Sequence, residues 1–161
     1  MSERPWFDRD IVLDTNVLIH LGRYSRTGEW LLATYLEKRT IAPIVSIVSV
    51  AEARVFAETN AWSLTKNETL RKVLGACIVR DVAKDDTSLL DAYRVLDMES
   101  RKRGHRMGKN DLWIAAECRR TGAVLLTCDG DFDDLAQYGE IIVDRYVELA
   151  RVTASAPRTK S

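Results

Sequence analysis

Short runs of apolar, often β-branched residues alternate along the chain with longer segments in which apolar positions recur at helical spacing. Five of these runs predict strands: 11–13, 40–45, 77–82, 123–127 and 141–144. The intervening segments predict helices at 17–21, after residue 46, and over 65–74, 88–103 and 110–120. Strands that alternate with helices are typical of a parallel sheet with helices on both faces. We therefore expect an α/β fold of three layers, α/β/α, with a central parallel sheet.

Residues at the segment ends indicate where several helices begin and end. Ser46 is placed to cap the helix after the second strand, and the acidic stretch 85–87 offers caps for a later helix. Asn110 is predicted to cap the helix that follows it. Gly104 and Gly122 are predicted to end the two helices before them.

Four carboxylates have apolar neighbours, an environment in which a charge is costly unless it has a partner or a function. Asp14 follows the first predicted strand directly, and Asp129 lies just past the fourth. Glu52 and Asp111 lie on predicted helices, each on an apolar stripe that we expect to face inward. Because ligands bind at the carboxyl ends of strands in open α/β sheets, we expect these acids to converge at that edge.

Each carboxylate also has a simpler interpretation when it is taken alone. Asp111 in a first helical turn can interact with the helix dipole, and Asp129 before Gly130 forms a common turn pair. Glu52 can be an edge residue of its helix, and Asp14 can be a helix cap. The coincidence of the four acids in four separate elements favours one shared site.

A divalent cation is the partner that such a cluster requires. Carboxylates that converge without cations repel one another and raise one another's pKa. Ligand sets made only of oxygen favour Mg²⁺, with Mn²⁺ as a substitute, over zinc. His105 is the one histidine near these motifs, and Cys77, Cys118 and Cys128 lack the C-x-x-C spacing of zinc sites. The sequence therefore predicts a magnesium site.

Composition narrows the class of protein. The 161 residues are 46% apolar and 30% charged, as expected for one soluble domain. We expect residues 1–150 to form that domain and 151–161 to form a flexible tail. The 24 basic residues balance the 24 acidic ones, so bulk charge does not favour nucleic acid. With neither an apolar leader nor a run of about 18 apolar residues, the sequence predicts a cytoplasmic protein that does not enter membranes.

Four segments in order carry a resemblance to a known family. Residues 13–19, 46–52, 108–116 and 126–132 are LDTNVLI, SIVSVAE, GKNDLWIAA and LTCDGDF. They resemble the four blocks of the PIN-domain nucleases, and the size of the chain resembles that of the VapC toxins of toxin–antitoxin modules. The resemblance covers residues 10–147.

This resemblance implies a Mg²⁺-dependent endoribonuclease. Its catalytic, metal-binding residues are then Asp14, Glu52, Asp111 and Asp129. It also implies accessory roles for Asn16 and Thr127, while Asp131 is close enough to Asp129 in sequence to replace it as the fourth ligand. The resemblance further implies a cognate antitoxin protein that binds over the site, and the sequence leaves a homodimer open.

Charge is unevenly distributed next to the predicted site. Segment 101–109 carries five Lys and Arg residues, one His and no acid, whereas segment 127–144 carries six acids and no Lys or Arg. We predict that Arg103, Arg106 and Lys109 contact RNA phosphates. The alternative is that the basic segment is a solvated helix end, where cations interact favourably with the helix dipole.

Two other functions stay open on the sequence alone. A haloacid-dehalogenase-like phosphatase is similar at 13–18 and 108–111, but it needs a second Asp where this chain has Asn16. The other alternative is a PIN-like domain that binds RNA or protein without catalysis. An assay of cleavage with added Mg²⁺ separates this last function from that of a nuclease.

Overall fold

The computed structural model describes residues 9–149, so the predicted tail 151–161 lies outside the described residues. Five strands form one all-parallel sheet in the order β3-β2-β1-β4-β5. The strands are β1 (Ile11–Leu13), β2 (Ile44–Ser46), β3 (Ile78–Arg80), β4 (Val124–Thr127) and β5 (Ile142–Arg145).

Helices cover both faces of the sheet, and the predicted three-layer α/β/α class is confirmed. The helices are α1 (Thr15–Arg23), α2 (Arg26–Leu31), α3 (Ile47–Thr59), α4 (Leu64–Gly75), α5 (Thr87–Lys102), α6 (Lys109–Thr121) and α7 (Asp133–Gln137). A π-helical turn, Leu32–Leu36, extends α2, and a 3₁₀ turn, Gly130–Phe132, precedes α7.

The strongest apolar runs of the sequence form the two central strands, β1 and β4. This position explains why polar residues do not alternate with apolar ones in these runs. β1 pairs with β4 in the register Ile11 to Val124 and Leu13 to Leu126, and every residue of both strands is buried. A parallel strand that is covered on both faces must be apolar on both faces. The edge strand β3 differs, since its residues are exposed.

Two apolar cores lie on opposite faces of the sheet. One core packs α5, α6 and α7 through residues such as Leu96, Ile114 and Leu135. The other packs α1, α3 and α4 through residues such as Leu18 and Leu70. Each fully buried side chain of this size stabilises the fold by about 1.5–3 kcal/mol, so the sheet that carries the strand ends is held rigidly.

Several predicted helix ends are confirmed. The Ser46 side chain accepts a hydrogen bond from the Val48 amide and caps α3. Asp86, within the acidic stretch 85–87, caps α5. Gly104 and Gly122 follow α5 and α6 in the left-handed region, with φ of 71° and 68°. Glycine is favoured at such positions because it has no Cβ.

The prediction that Asn110 caps a helix is wrong. α6 begins at Lys109, and its N-cap is Gly108, whose carbonyl accepts from the Leu112 amide. Asn110 therefore lies inside the first turn, and no side chain caps α6. Its amide instead donates to Glu52 at 3.2 Å.

The second strand and three short elements also differ from the sequence pattern. β2 covers Ile44–Ser46 rather than 40–45, because Pro43 before it has no amide hydrogen to donate to a ladder. The pattern did not predict α2, the π-helical turn or α7, which have six, five and five residues. Segments this short hold too few turns for a helical period to be recognisable. Within residues 9–149, no helix is long and apolar enough to cross a membrane.

Candidate active site

Asp14 lies where the central strand β1 ends and α1 begins. It caps α1, and its Oδ1 accepts from the Thr15 amide at 2.7 Å. Its Oδ2 accepts from the Thr127 hydroxyl at 2.7 Å and from the Asn16 amide at 3.0 Å. The side chain is only 4% exposed. Asp14 therefore caps α1, as the sequence allowed, and also presents a buried carboxylate at the end of β1.

Asn16 and Thr127, the two predicted accessory residues, orient this carboxylate. The Asn16 amide nitrogen donates to Asp14 and lies 3.2 Å from the Thr127 hydroxyl oxygen. The Thr127 oxygen also accepts from the Asp129 amide at 2.9 Å. One hydroxyl at the end of β4 thus connects two of the predicted acids.

Tyr146, which the sequence pattern did not identify, fixes the orientation of Asn16. Its hydroxyl donates to Asn16 Oδ1 at 2.7 Å, and the Cys128 amide donates to the same oxygen at 3.3 Å. With two donors on the oxygen, the nitrogen of the Asn16 amide must face Asp14. Tyr146 directly follows β5 and is buried, although nothing in its local sequence distinguishes it from a core aromatic.

Glu52 reaches the same edge of the sheet from α3. Its Oε1 accepts from the Thr15 hydroxyl at 2.8 Å, and its Oε2 accepts from the Asn110 amide at 3.2 Å. Since Thr15 belongs to α1 and Asn110 to α6, Glu52 connects three helices through its carboxylate.

The expectation that Glu52 lies on the buried stripe of its helix is wrong. Val55, which the pattern placed on that stripe, is 64% exposed. The buried face of α3 is formed instead by small residues, Ser49, Val50, Ala53 and Ala57. Glu52 is therefore an edge residue, half-buried, as the alternative interpretation of the sequence allowed.

Asp111, Asp129 and Asp131 form the tightest group of acids. One carboxylate oxygen from each lies within 4.8 Å of the others. Asp111 comes from the first turn of α6, whereas the other two flank the start of the 3₁₀ turn after β4. The Asp131 amide donates to Asp129 Oδ1 at 2.9 Å. Both candidates for the fourth ligand are thus within reach of a cation at Asp111.

The electrostatics of the cluster centre on Asp111. Burial, followed by repulsion from Asp14, Asp129, Glu52 and Asp131, raises the pKa of Asp111 to about 7. The pKa of Asp14 is also raised, first by burial, while its hydrogen bonds from Thr127 and Thr15 oppose the shift. A cation among these oxygens relieves the repulsion, so the donor set fits Mg²⁺ or Mn²⁺.

Arg103 lies among acidic side chains, and its contact with RNA phosphates stays a prediction. Its guanidinium lies 3.4 Å from Glu99, 3.3 Å from Glu140 and 3.8 Å from Asp134. It also stacks over the Tyr138 ring at 3.9 Å, and its side chain is 16% exposed. The acidic segment that follows β4 neutralises this arginine, which is therefore a structural cation.

Arg106 and Lys109 are placed differently from Arg103. Both are exposed, and neither makes an ion pair within residues 9–149. Lys109 opens α6 two residues before Asp111. The other two arginine and lysine residues of the basic segment, Arg101 and Lys102, pair with Asp97 and Glu99 on α5. The solvated helix end therefore describes Arg101 and Lys102, while Arg106 and Lys109 stay available to a ligand.

An all-parallel α/β domain with carboxylates from several elements at the carboxyl edge defines a class of proteins that bind cations or phosphate-bearing ligands there. The family model described as PIN domain matches residues 11–138, and the chain belongs to this family. No curated protein sequence matches the chain.

Solved structures of similar fold include toxin–antitoxin proteins. VapBC2 from Rickettsia felis, bound to a promoter DNA fragment, has a TM-score of 0.68 at 17% identity, over 85% of this chain and 98% of that one. VapBC-5 from Mycobacterium tuberculosis has a TM-score of 0.64 at 25% identity, over 86% and 99%. VapC20 from the same organism, a Sarcin-Ricin loop cleaving toxin, has a TM-score of 0.59 at 19% identity, over 78% and 94%.

Proposed function

We propose that this PIN-domain protein is a Mg²⁺-dependent endoribonuclease and the toxin of a VapBC-type toxin–antitoxin module. One observation carries the proposal: oxygens of Asp111, Asp129 and Asp131 lie within 4.8 Å of one another, and burial together with repulsion from acids of three other elements raises the pKa of Asp111 to about 7. A protein gains no stability from such a cluster by itself, since each ionised acid destabilises the others. The cluster is explained by a cation that it binds.

Asp14, Glu52, Asp111 and Asp129 are the residues that would hold the metal, with Asp131 beside Asp129 as an additional oxygen donor. When bound, Mg²⁺ supplies an activated water and neutralises charge on a scissile phosphate. The chain itself supplies orientation: Thr127 and Asn16 fix Asp14, and Thr15 and Asn110 fix Glu52. Hydrogen bonds of this kind keep the carboxylates in place during turnover.

RNA is the proposed substrate, and an antitoxin is the proposed partner. The fold is shared with a toxin described as cleaving the Sarcin-Ricin loop and with proteins described as VapBC complexes. We use the name carboxylate edge for the edge of the sheet at which Asp14, Glu52, Asp111 and Asp129 lie. We propose that a small cognate protein covers the carboxylate edge and that the toxin forms a homodimer. Residues 1–150 form one nuclease domain in this proposal, and the protein acts in the cytoplasm. Family membership argues against the phosphatase alternative.

The deciding experiment is cleavage of total cellular RNA by the purified protein with Mg²⁺, with EDTA, and after Mg²⁺ is restored. We expect fragments with discrete ends only when Mg²⁺ is present. Cleavage in EDTA would contradict the metal role. RNA binding without cleavage under any divalent ion would favour the non-catalytic alternative instead. Growth arrest on expression of the protein alone would add support for the toxin.

A double substitution, Arg106→Ala with Lys109→Ala, should weaken RNA binding without unfolding the protein. Each lost phosphate contact lowers the salt slope of binding to single-stranded RNA by about 0.7, so the pair should lower it by about 1.4. The measurement is the binding constant over a series of salt concentrations. The matched control replaces the exposed Lys84 and Arg94 by Ala. Equal salt slopes of RNA binding in the two double variants would indicate that Arg106 and Lys109 do not contact RNA phosphates.

Removal of the Tyr146 hydroxyl, in Tyr146→Phe, should lower cleavage about 10-fold, the lower end of the usual cost of losing a residue that orients a metal ligand, because Tyr146 acts on Asp14 through Asn16. Stability should fall by only about 1 kcal/mol, because one hydrogen bond is lost and the ring stays. The control is Tyr138→Phe, whose ring is 56% exposed. The measurements are the cleavage rates and melting temperatures of both variants. Equal cleavage rates would show that Tyr146 does not help to position Asn16 and Asp14.

A further inference from the structure

A cavity adjoins the carboxylate edge on the side of α1 and α3. Its volume is about 540 Å³, and its walls come from α1, α3 with the residue that ends it, and the first turn of α6. Thr15, Glu52 and Asn110 line this cavity, and the same three residues form the hydrogen bonds that hold Glu52. The cavity and the candidate active site are therefore continuous, with Glu52 on their shared border.

The wall of the cavity is apolar and aromatic. Ile19, Val55 and Phe56 face it. The Phe56 ring is held in place by an edge contact with Trp62, with ring centroids 6.1 Å apart. The Arg23 guanidinium lies 5.9 Å from the centroid of the same ring. Phe56 is thus a half-buried aromatic ring on the wall of the cavity, with the guanidinium of Arg23 over it.

Polar groups surround this apolar wall. Thr59, Asn60 and Asn110 place a hydroxyl and two amides around the cavity. Amides and hydroxyls are the groups with which proteins bind the edges of unpaired bases, while aromatic rings stack on their faces. The volume is also within the range of roughly 300–1,000 Å³ that is usual for sites of small ligands.

We propose that this cavity holds one unpaired nucleobase of the RNA whose backbone lies at the carboxylates. The inference rests on the proposed function, because the RNA backbone must run past Glu52. A nucleobase accounts for three observations together: the aromatic wall, the amides around it, and the exposed Arg23, whose charge suits a flanking phosphate. An aliphatic side chain of a partner protein would account for the apolar wall alone.

Binding of a short, unstructured oligoribonucleotide in Ca²⁺ tests this proposal independently of cleavage. A series of the same oligonucleotide carries one abasic nucleotide at each successive position. For the wild type, removal of the base at one position should weaken binding about 5- to 100-fold, the usual effect of one lost stacking contact. Removal of bases elsewhere should change the affinity much less.

Two variants remove the proposed subsite by different means. Phe56→Leu deletes the ring and keeps an apolar side chain, while Phe56→Tyr keeps the ring and serves as its matched control. Ala51→Leu fills the cavity from an exposed position on α3. Its control is Ala83→Leu, which adds the same side chain at another exposed position. Ala83 lies near Asp86, which pairs with Arg120 at the far end of α6 from Asp111.

Phe56→Leu and Ala51→Leu should each bind intact RNA about 5- to 100-fold more weakly than the wild type does. In both variants, removal of the base to which the wild type is sensitive should then cause no further loss of affinity. Ala83→Leu should behave as the wild type, and Phe56→Tyr, which keeps the ring, should keep the abasic penalty that Phe56→Leu loses. Unchanged affinity and an unchanged abasic penalty in both Phe56→Leu and Ala51→Leu would overturn the proposal and leave a protein side chain as the occupant.

The failure of this inference can be distinguished from a failure of the proposed nuclease. If the wild type cleaves RNA in Mg²⁺ while the cavity variants bind as it does, the subsite is refuted and the nuclease stands. If the abasic penalty depends on Phe56 but no divalent ion supports cleavage, the subsite stands and the nuclease is refuted.

Discussion

Asp111→Asn should lower RNA cleavage about 10³-fold and at the same time raise the stability of the metal-free protein. The loss of activity follows because a misplaced cation forfeits about 4 kcal/mol of charge neutralisation at the phosphate. The gain in stability is expected above pH 7, where Asp111 is ionised, because Asn removes the charge that four neighbouring acids repel. Few substitutions move activity and stability in opposite directions, so the combination identifies a ligand-binding acid.

Cleavage rates with Mg²⁺ and melting temperatures in EDTA test this pair of effects. Asp91→Asn is the matched control, because Asp91 is 73% exposed on α5, and among the described residues its ion pair is with Arg94. The control should leave both quantities within experimental error of the wild type. An Asp111→Asn variant that keeps wild-type activity would refute the role of this residue in the cluster.

The metal-free protein should lose stability as the pH rises from about 4 to about 7. The folded state holds the pKa of Asp111 at about 7, above the ordinary value of 3.8, so the folded protein binds a proton that the unfolded chain has released. This stabilisation is present in full below the unfolded pKa, and it is lost as the pH rises through the folded pKa. A shift of this size corresponds to about 4 kcal/mol, which solvent screening of the half-buried group reduces to about 2 kcal/mol.

Millimolar Mg²⁺ should reverse this loss at pH 8 and have little effect at pH 5, where the proton already occupies the cluster. A concentration of about 100 times the dissociation constant stabilises the folded state by about 2.7 kcal/mol. Melting temperatures over a pH series, with Mg²⁺ and with EDTA, provide the measurement. In Asp111→Asn the pH slope of the EDTA series should become shallower. A pH-independent melting temperature for the wild type would contradict the raised pKa.

The parts of the molecule that sequence patterns predicted are those that depend on neighbours along the chain. Asp14 and Asp129 follow apolar runs directly, and the end of a parallel strand determines where such residues lie. Asp111 begins a helix with a buried apolar face that includes Ile114 and Cys118. For these three residues, local order along the chain was sufficient to place the side chain near the site.

The parts that sequence patterns missed depend on contacts between distant residues. The hydroxyl of Tyr146 meets an amide 130 residues earlier, and Asn110 meets a glutamate 58 residues earlier. Arg103 pairs with Glu140, 37 residues later. Charge composition alone made Arg103 resemble its neighbours 106 and 109, because two of the acids that neutralise it, Asp134 and Glu140, are distant in the sequence.

The local sequence pattern also failed to predict which face of α3 is buried. Val55 and Phe56 look like core positions because they are apolar, but they line an open cavity next to Glu52. A binding surface made of apolar residues has the same sequence pattern as a buried face. The mistaken orientation of this helix therefore coincides with the surface that we propose for the nucleobase.

The pairing of β1 with β4 determines when the candidate site is assembled during synthesis of the chain. Strand residues 11–13 pair with residues 124–126, and the carboxylate of Asp14 accepts a hydrogen bond from the hydroxyl of Thr127, 113 residues later. Pairings at such separation form late, because the intervening chain must first be ordered. A nascent chain that has passed Asp111 already carries three of its four acids, yet it has no β4 on which to align them. The four carboxylates are thus aligned only after β4 has been synthesised and has paired with β1.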